Sequence, residues 1–408
     1  MKHQKTLKII NDPVYGFITV PTPFLCKLIE HPYVQRLRRI AQMGMGFLVY
    51  PGACHTRFQH ALGALHLMQR AVETLRFKGT EISGTEAEAL YAAILLHDVG
   101  HGPFSHAMER SVVGSVGHEE LSVAFMRALN KEYNGKLTTA IRMFNNKYPR
   151  AFFHQLISGQ LDVDRMDYLK RDSFYTGVAA GSISAKRLIA MLRVHGDQLV
   201  VEEKAVYSVE KFIIARRLMY WQVYLHKTGL VAEQLLVRLL QRAKQLVASG
   251  KTVPTSGALG YFLKLDKNET SITKSTLSTY ALLDDADIFT AMKTWQSHED
   301  LVLSKISTML LNRDLLKIKL KKTPFSETKL RAKRESAIKK HSLSEQGAAY
   351  FVFSGAVSNQ AYNLHSDPIN LIRKNGKVVN VAKASDQLNI KALSQKVTKY
   401  YMCYPKKC

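Results

Sequence analysis

Apolar residues recur at three- and four-residue spacing over 60–77, which predicts an amphipathic helix. A Gly-bounded turn over 79–84 interrupts it. Thr85 is then placed to cap a second helix over 86–97, with Glu88 three residues on as a capping-box partner. That helix carries the longest clean apolar run, 90–96, too short to span a bilayer. It stops at Val99-Gly100-His101-Gly102-Pro103, where Gly and Pro end helices. Similar spacing predicts helices over 118–131, 136–147, 150–172, 184–194 and 208–249, with a short strand over 195–201. Residues 251–260 read as a linker, and 261–345 alternate short helical patterns with loops. The tail changes character: 350–353 and 399–404 read as strands, and 369–381 as a hairpin around Asn375-Gly376. No internal repeat of fixed period is visible. The expected architecture is mainly α: a helical body over 1–250, a basic helical extension over 251–345 and a small α/β part over 346–408.

Composition narrows this little: 408 residues, 46% hydrophobic and 22% charged, exclude a disordered or fibrous chain. The cysteines Cys26, Cys54, Cys403 and Cys408 form no CxxC pair or dense framework, which argues against a disulfide scaffold and for a reducing compartment. The basic start Met1-Lys2-His3-Gln4-Lys5 is followed by no apolar targeting core, so the expected location is cytoplasmic, away from the membrane. Charge changes the picture more. A net +25 suggests anionic partners such as nucleotides or nucleic acid, though a solvated basic surface is the plain alternative. The cations concentrate over 311–340, where Phe325 is the only aromatic residue, so a base-stacking platform is not expected there.

Histidine supplies the chemistry. Of fifteen, seven fall between residues 55 and 118: His55, His60, His66, His97, His101, His106 and His118. His97-Asp98 ends an apolar helix. Adjacent helical side chains diverge by about 100°, but at a terminus both can turn to one divalent ion, which an imidazole and a carboxylate suit. Alone, the pair is equally a helix-end hydrogen bond. With His60 on an earlier helix and Asp162 and Asp164 on a later one, it becomes a ligand set that leaves positions open, as catalysis requires.

This H…HD…D pattern resembles the HD-domain phosphohydrolase superfamily. The match is closer to its deoxynucleoside-triphosphate (dNTP) triphosphohydrolase branch. It is carried by Gln35-Arg36-Leu37-Arg38, Gln42-Met43-Gly44, Val49-Tyr50-Pro51-Gly52-Ala53, His55-Thr56-Arg57-Phe58-Gln59-His60, His97-Asp98-Val99-Gly100-His101-Gly102-Pro103-Phe104-Ser105-His106 and Asp162-Val163-Asp164-Arg165-Met166-Asp167-Tyr168. It covers roughly residues 10 to 230. The His97–His106 stretch is its most specific part; the cyclic-dinucleotide phosphodiesterase and alarmone hydrolase branches lack it.

The resemblance implies an HD helical bundle that binds a divalent metal (Mn, Mg, Fe, Zn or Ni) through His60, His97, Asp98 and Asp164. It implies His118 as catalytic histidine, Glu109 as its partner where relatives carry the shorter aspartate, and His101 and His106 along the α-phosphate. Arg57 and Arg165 match cationic phosphate positions, the second commonly lysine. Tyr168 and Asp172 match sugar-facing positions, Gln42 a reader of the 3′-hydroxyl, and Tyr224 an aromatic that a 2′-hydroxyl would meet. Glu30, Gln35 and Arg38 match positions that read a guanine-nucleotide activator in homo-oligomeric members, dimers or tetramers; an ordinary basic helix is the alternative there. Asp162 and Asp167 read as structural, and His55 and His66 carry no assigned role. The expected reaction is hydrolysis of a dNTP to deoxynucleoside and triphosphate. The alternatives are an HD phosphohydrolase for a monophosphate or ribonucleotide, and a nucleic-acid-binding HD protein.

Overall fold

The structure is a computed structural model and describes residues 8–104, 107–108, 116–265, 272–364, 366–386 and 393–406. It is mainly α. A hairpin of β1 (Ile9–Asp12) and β2 (Gly16–Thr19) leads into α1 (Pro23–Glu30), a short helix Pro32–Gln35 and a 3₁₀ turn Arg36–Arg39. Then come α2 (Arg57–Phe77) and α3 (Gly84–Leu96), packed on each other, with α2 also packed on α7 (Val163–Thr176). Every residue of 90–96 is buried, so the apolar run is the centre of the bundle. Around it lie α4 (His118–Glu132), α5 (Thr138–Phe144), α6 (Ala151–Ile157) and α8 (Ala185–Ala190).

Several elements depart from the sequence expectations. The cap of α3 is Ser83, not Thr85: Ser83 Oγ accepts from Glu86 N at 3.1 Å, and Glu86 Oε2 accepts from Ser83 N at 2.9 Å. The stretch 150–172 is two helices, because Asp162 accepts from Arg165 N at 2.7 Å and starts α7. That restart puts Asp164 in a first turn. The stretch 208–249 is likewise divided, into α9 (Val206–Met219), a π turn Tyr220–Tyr224 and α10 (Lys227–Ala248), which His226 caps. The predicted helix over 184–194 ends at Ala190, and the expected single strand is a hairpin, β3 (Leu192–His195) with β4 (Gln198–Glu202). Its turn residues Gly196 and Asp197 both have positive φ, the backbone twist two-residue hairpins favour.

Beyond α10 follow α11 (Gly257–Lys264), α12 (Lys274–Tyr280), α13 (Asp285–Trp295) and α14 (Leu301–Leu311). The basic stretch is not all helix: β5 (Lys317–Lys321) precedes α15 (Glu327–His341) and α16 (Glu345–Phe351). The expected strand over 350–353 is mostly the end of α16; β6 runs Phe353–Asn359. The hairpin around Asn375-Gly376 forms, as β7 (Asn370–Ile372) and β8 (Val378–Asn380), and β7 adds in parallel to β4. The last strand, β9 (Val397–Tyr404), lies between β5 and β6. Among the described residues no helix is long and apolar enough to cross a membrane.

Candidate active site

Three helices converge on one point. His60 lies in the first turn of α2, His97 and Asp98 follow the last residue of α3, and Asp164 lies in the first turn of α7. His60 Nε2 and His97 Nε2 are 3.3 Å apart, and Asp164 Oδ1 is 3.1 Å from the first and 3.5 Å from the second. Ligands at about 2.1 Å from an ion and about 90° apart lie about 3 Å from each other, so this triad fits a divalent ion. Asp98 is the fourth group: its Oδ1 is 3.5 Å from His97 Nε2 and its Oδ2 3.8 Å from His60 Nε2.

Both imidazoles are aimed. His97 Nδ1 is 2.6 Å from Ile94 O, and His60 Nδ1 is 2.7 Å from Asp167 Oδ2. Asp167 in turn accepts from Arg171 Nε at 2.9 Å, and Arg171 Nη1 donates to Asp12 Oδ2 at 2.7 Å. All four members of this chain are buried. Outer partners of this kind fix the tautomer and raise ligand basicity. The pairing of Asp167 with Arg171 bears out its reading as structural, and the same carboxylate also contacts the His60 imidazole. Its spacing from Asp164 and Arg171, three and four residues along one helix face, was the available signal; Asp12 had none.

Gly63, one turn after His60, makes room for the chain. A Cβ there would lie 2.0 Å from Asp167 Oδ1 and 2.2 Å from Arg171 Nη2. Gly63→Ala is expected to cost about 3–5 kcal/mol, the scale of breaking a buried ion pair, in denaturant unfolding. A change below about 0.5 kcal/mol, typical of neutral surface substitutions, would contradict the packing described.

Electrostatics favour positive charge where the Nε2 atoms meet. Burial alone would depress His60, but Asp164 and Asp167 reverse it and lift the imidazole to about 10. His97 is raised against the same burial by Asp98 and Asp164. Burial opposes ionisation of Asp98, yet the charges of His97 and Arg57, with a hydrogen bond from His101, hold it well below its usual value. His101 moves the other way: burial and then Arg57 push it down to about 3, so its ring is neutral. That ring stacks on His118 with centroids 4.0 Å apart and planes at 17°. His118, the first residue of α4, joins His97, Asp98 and Asp164 in lining a cavity of about 1370 Å³.

The remaining sequence candidates divide. Arg57 Nη1 contacts Asp98 Oδ2 at 2.5 Å, and Arg165 Nη1 pairs with Asp162, so each arginine is held beside the triad by a carboxylate. Asp172 accepts from Tyr224 Oη at 2.7 Å and lies 2.7 Å from His55 Nε2; the Tyr168 and Tyr224 rings are 6.0 Å apart. His55 stacks on Tyr175 at 4.4 Å, so the histidine without an assigned role belongs to this group. Gln42 N donates to His55 O at 2.9 Å. Among the described residues, Gln42 Oε1, His55 Nδ1, Arg165 Nε and Arg216 Nε, buried polar atoms close to these groups in sequence or contact, have no partner. Arg216 was not singled out from sequence; its double-arginine context in a helix carried no signal. Gln35 and Arg38 come together, with Arg38 Nε donating to Gln35 Oε1 at 2.9 Å and its guanidinium over Phe58. Glu30 instead pairs with Lys8 at 2.6 Å. His106 and Glu109 lie outside the described residues.

The HD domain family model matches residues 57–172, the stretch that holds His60, His97, Asp98 and Asp164, and the HD associated region matches 183–254. The uncharacterized protein YwfO of Bacillus subtilis is 32% identical over 98% of this chain and 92% of its own length. The chain belongs to the HD-domain phosphohydrolase superfamily. Human deoxynucleoside triphosphate triphosphohydrolase SAMHD1 is 28% identical over 63% of this HD phosphohydrolase, which spans about half (48%) of that relative. A solved phosphohydrolase from Bacteroides thetaiotaomicron is 48% identical, with a TM-score of 0.95 over 98% of this chain and 100% of that one.

Proposed function

We propose that this HD phosphohydrolase is a metal-dependent dNTP triphosphohydrolase, releasing deoxynucleoside and intact triphosphate. The observation that carries the reading is the inward-facing Nε2, Nε2 and Oδ1 triad of His60, His97 and Asp164, with Asp98 beside it and His118 on the same cavity wall. The names of several relatives as dNTP triphosphohydrolases support the substrate class.

His60, His97, Asp98 and Asp164 hold the divalent ion, whether Mn, Mg, Fe, Zn or Ni. When bound it supplies Lewis acidity to an α-phosphate oxygen and a water of lowered pKa. Arg57 and Arg165 face the polyphosphate, since a guanidinium with five N–H groups can serve a carboxylate and a phosphate together. Arg216, with its unpartnered buried Nε, joins them. His101, whose ring is neutral, lines the α-phosphate, and the resemblance adds His106. A water oxygen bonds to the α-phosphorus and gives up a proton to solvent, the bond from phosphorus to the 5′-oxygen breaks with its electron pair on that oxygen, and His118 delivers a proton to it. Glu109 orients His118. Gln42 Oε1 accepts from the 3′-hydroxyl. Asp172, held by Tyr224 and His55, faces the sugar with Tyr168, and Tyr224 leaves no room for a 2′-hydroxyl. Gln35 and Arg38, with Glu30 released from Lys8, form a guanine-nucleotide activator site in a cytoplasmic homo-oligomer.

The test is product analysis. Protein with Mn²⁺ and each dNTP, with and without GTP, is expected to yield deoxynucleoside and triphosphate on ion-pair chromatography, with the matching ribonucleotides turned over at least about tenfold more slowly, the scale of about 1.4 kcal/mol of discrimination. Monophosphate and pyrophosphate as products, or no turnover of any dNTP, would overturn the reading.

A further inference from the structure

The turn after α3 carries Asp98 and His101, yet its own sequence specifies it weakly. It holds Gly100 and Gly102, and glycine is conformationally permissive. It also follows a helix end, where carbonyls lack intrahelical partners. Each carbonyl from 96 to 101 nevertheless has a partner. Leu96 O accepts from Val99 N, and Asp98 O from His101 N, both at 3.1 Å. His97 O accepts from Ser122 Oγ at 2.7 Å. The other three are held from outside the turn. Arg36 Nη2 donates to Val99 O at 2.8 Å and to His101 O at 2.9 Å, and Tyr280 Oη donates to Gly100 O at 3.1 Å.

Arg36 is buried (1% exposed), and its hydrogen-bond partners are carbonyls, not carboxylates. Its Nη1 donates to Leu283 O at 3.0 Å, and its guanidinium lies 5.2 Å from the Tyr280 ring centre and 5.6 Å from that of Phe125. Burying such a charge is costly; with no partner for its Nε among the described residues, the three carbonyl bonds made by Nη1 and Nη2 carry the compensation. A planar fork reaching three carbonyls is a task that arginine performs and lysine does not. Gly102 lets Tyr280 approach: a Cβ there would lie 2.4 Å from Tyr280 Oη.

We propose that Arg36 and Tyr280 are positioning residues for the active site: together they hold the Val99, Gly100 and His101 carbonyls and so orient Asp98 and His101 toward the metal and the substrate. The inference rests on the metal-dependent reading above. It adds that residues outside the HD family match, one before α2 and one in α12, set the geometry of the ligand turn.

Tyr280→Phe keeps the ring and deletes only the hydroxyl; Arg36→Lys keeps the charge and loses the fork. The measurements are Mn²⁺ affinity by calorimetry, thermal midpoint, and kcat and KM for the dNTP that the wild type turns over best. Tyr280→Phe is expected to weaken Mn²⁺ binding about tenfold, the lower end for loss of an outer partner. It is expected to lower kcat with KM within twofold, and to keep a cooperative transition. Arg36→Lys is expected to shift both in the same direction and further. Mn²⁺ affinity and kcat within threefold of wild type in Tyr280→Phe would overturn the inference, whatever the thermal midpoint, and that variant decides if Arg36→Lys does not fold. A wild type that binds Mn²⁺ but turns over no dNTP overturns the proposed substrate and leaves the Mn²⁺ comparison to decide the inference. A wild type that binds none of Mn²⁺, Mg²⁺, Fe²⁺, Zn²⁺ and Ni²⁺ overturns both.

Discussion

Asp164→Ala is expected to strip the protein of its divalent ion and abolish turnover. Asp164 Oδ1 is the one carboxylate oxygen within 3.5 Å of both His60 Nε2 and His97 Nε2 among the described residues. Without it, two imidazole nitrogens 3.3 Å apart face each other with Asp98 alone to balance a cation, and Asp98 is already shared with Arg57 and His101. The loss of activity should exceed the roughly 10–100-fold that removing an outer-shell partner costs. Metal analysis after dialysis reads the first effect and steady-state turnover the second. Retention of one equivalent of metal, with turnover within tenfold of wild type, would remove Asp164 from the ligand set. The fold should tolerate the change, since Asp162 and not Asp164 caps α7.

His118→Ala is expected to separate chemistry from metal binding. His118 lines the same cavity as His97, Asp98 and Asp164 but is not part of the triad; its ring lies against neutral His101. Loss of a general acid typically costs about 10²–10⁴-fold, and that is the expected fall in kcat, with bound metal unchanged. The variant should also lose the alkaline limb of the pH–rate profile, because a proton donor must be protonated to act and its contribution falls as pH rises. A substrate with a better leaving group than a 5′-alkoxide should recover much of the rate, because it needs no proton to depart. A fall in kcat below tenfold would assign the proton to another group.

The helical body was legible because its signals are local. The 3.6-residue period over 60–77 and the unbroken apolar run over 90–96 became α2 and the buried α3. The Asn375-Gly376 turn became the β7–β8 hairpin. What was missed depends on contacts that no window contains. The break before α7 turns on Asp162 capping rather than continuing a helix. The break at Tyr220–Tyr224 contains neither Gly nor Pro, and it places Tyr224 against Asp172. The strand β5 reads as one more basic segment until β9, about eighty residues on, supplies its ladder.

The site divides in the same way. His60, His97, Asp98 and Asp164 were named from an H…HD…D pattern and stand together. The residues that aim them were harder to see. Asp167 and Arg171 share a helix face with Asp164, whereas Asp12, His55 and Arg36 act across 159, 117 and 63–65 residues of chain, and no spacing rule reaches that far. Glu30 was grouped with Gln35 and Arg38, yet it faces Lys8, so an activator there must displace an ion pair.

The most direct test of the account is to run the reaction in H₂¹⁸O. With Mn²⁺ and a turned-over dNTP, mass spectrometry is expected to find one ¹⁸O in the triphosphate and none in the deoxynucleoside, because water attacks the α-phosphorus and the 5′-oxygen leaves with the sugar. Label in the deoxynucleoside would mean attack at carbon. Label in orthophosphate or pyrophosphate, with a deoxynucleoside mono- or diphosphate as the other product, would place the cleavage at another phosphorus and contradict the mechanism.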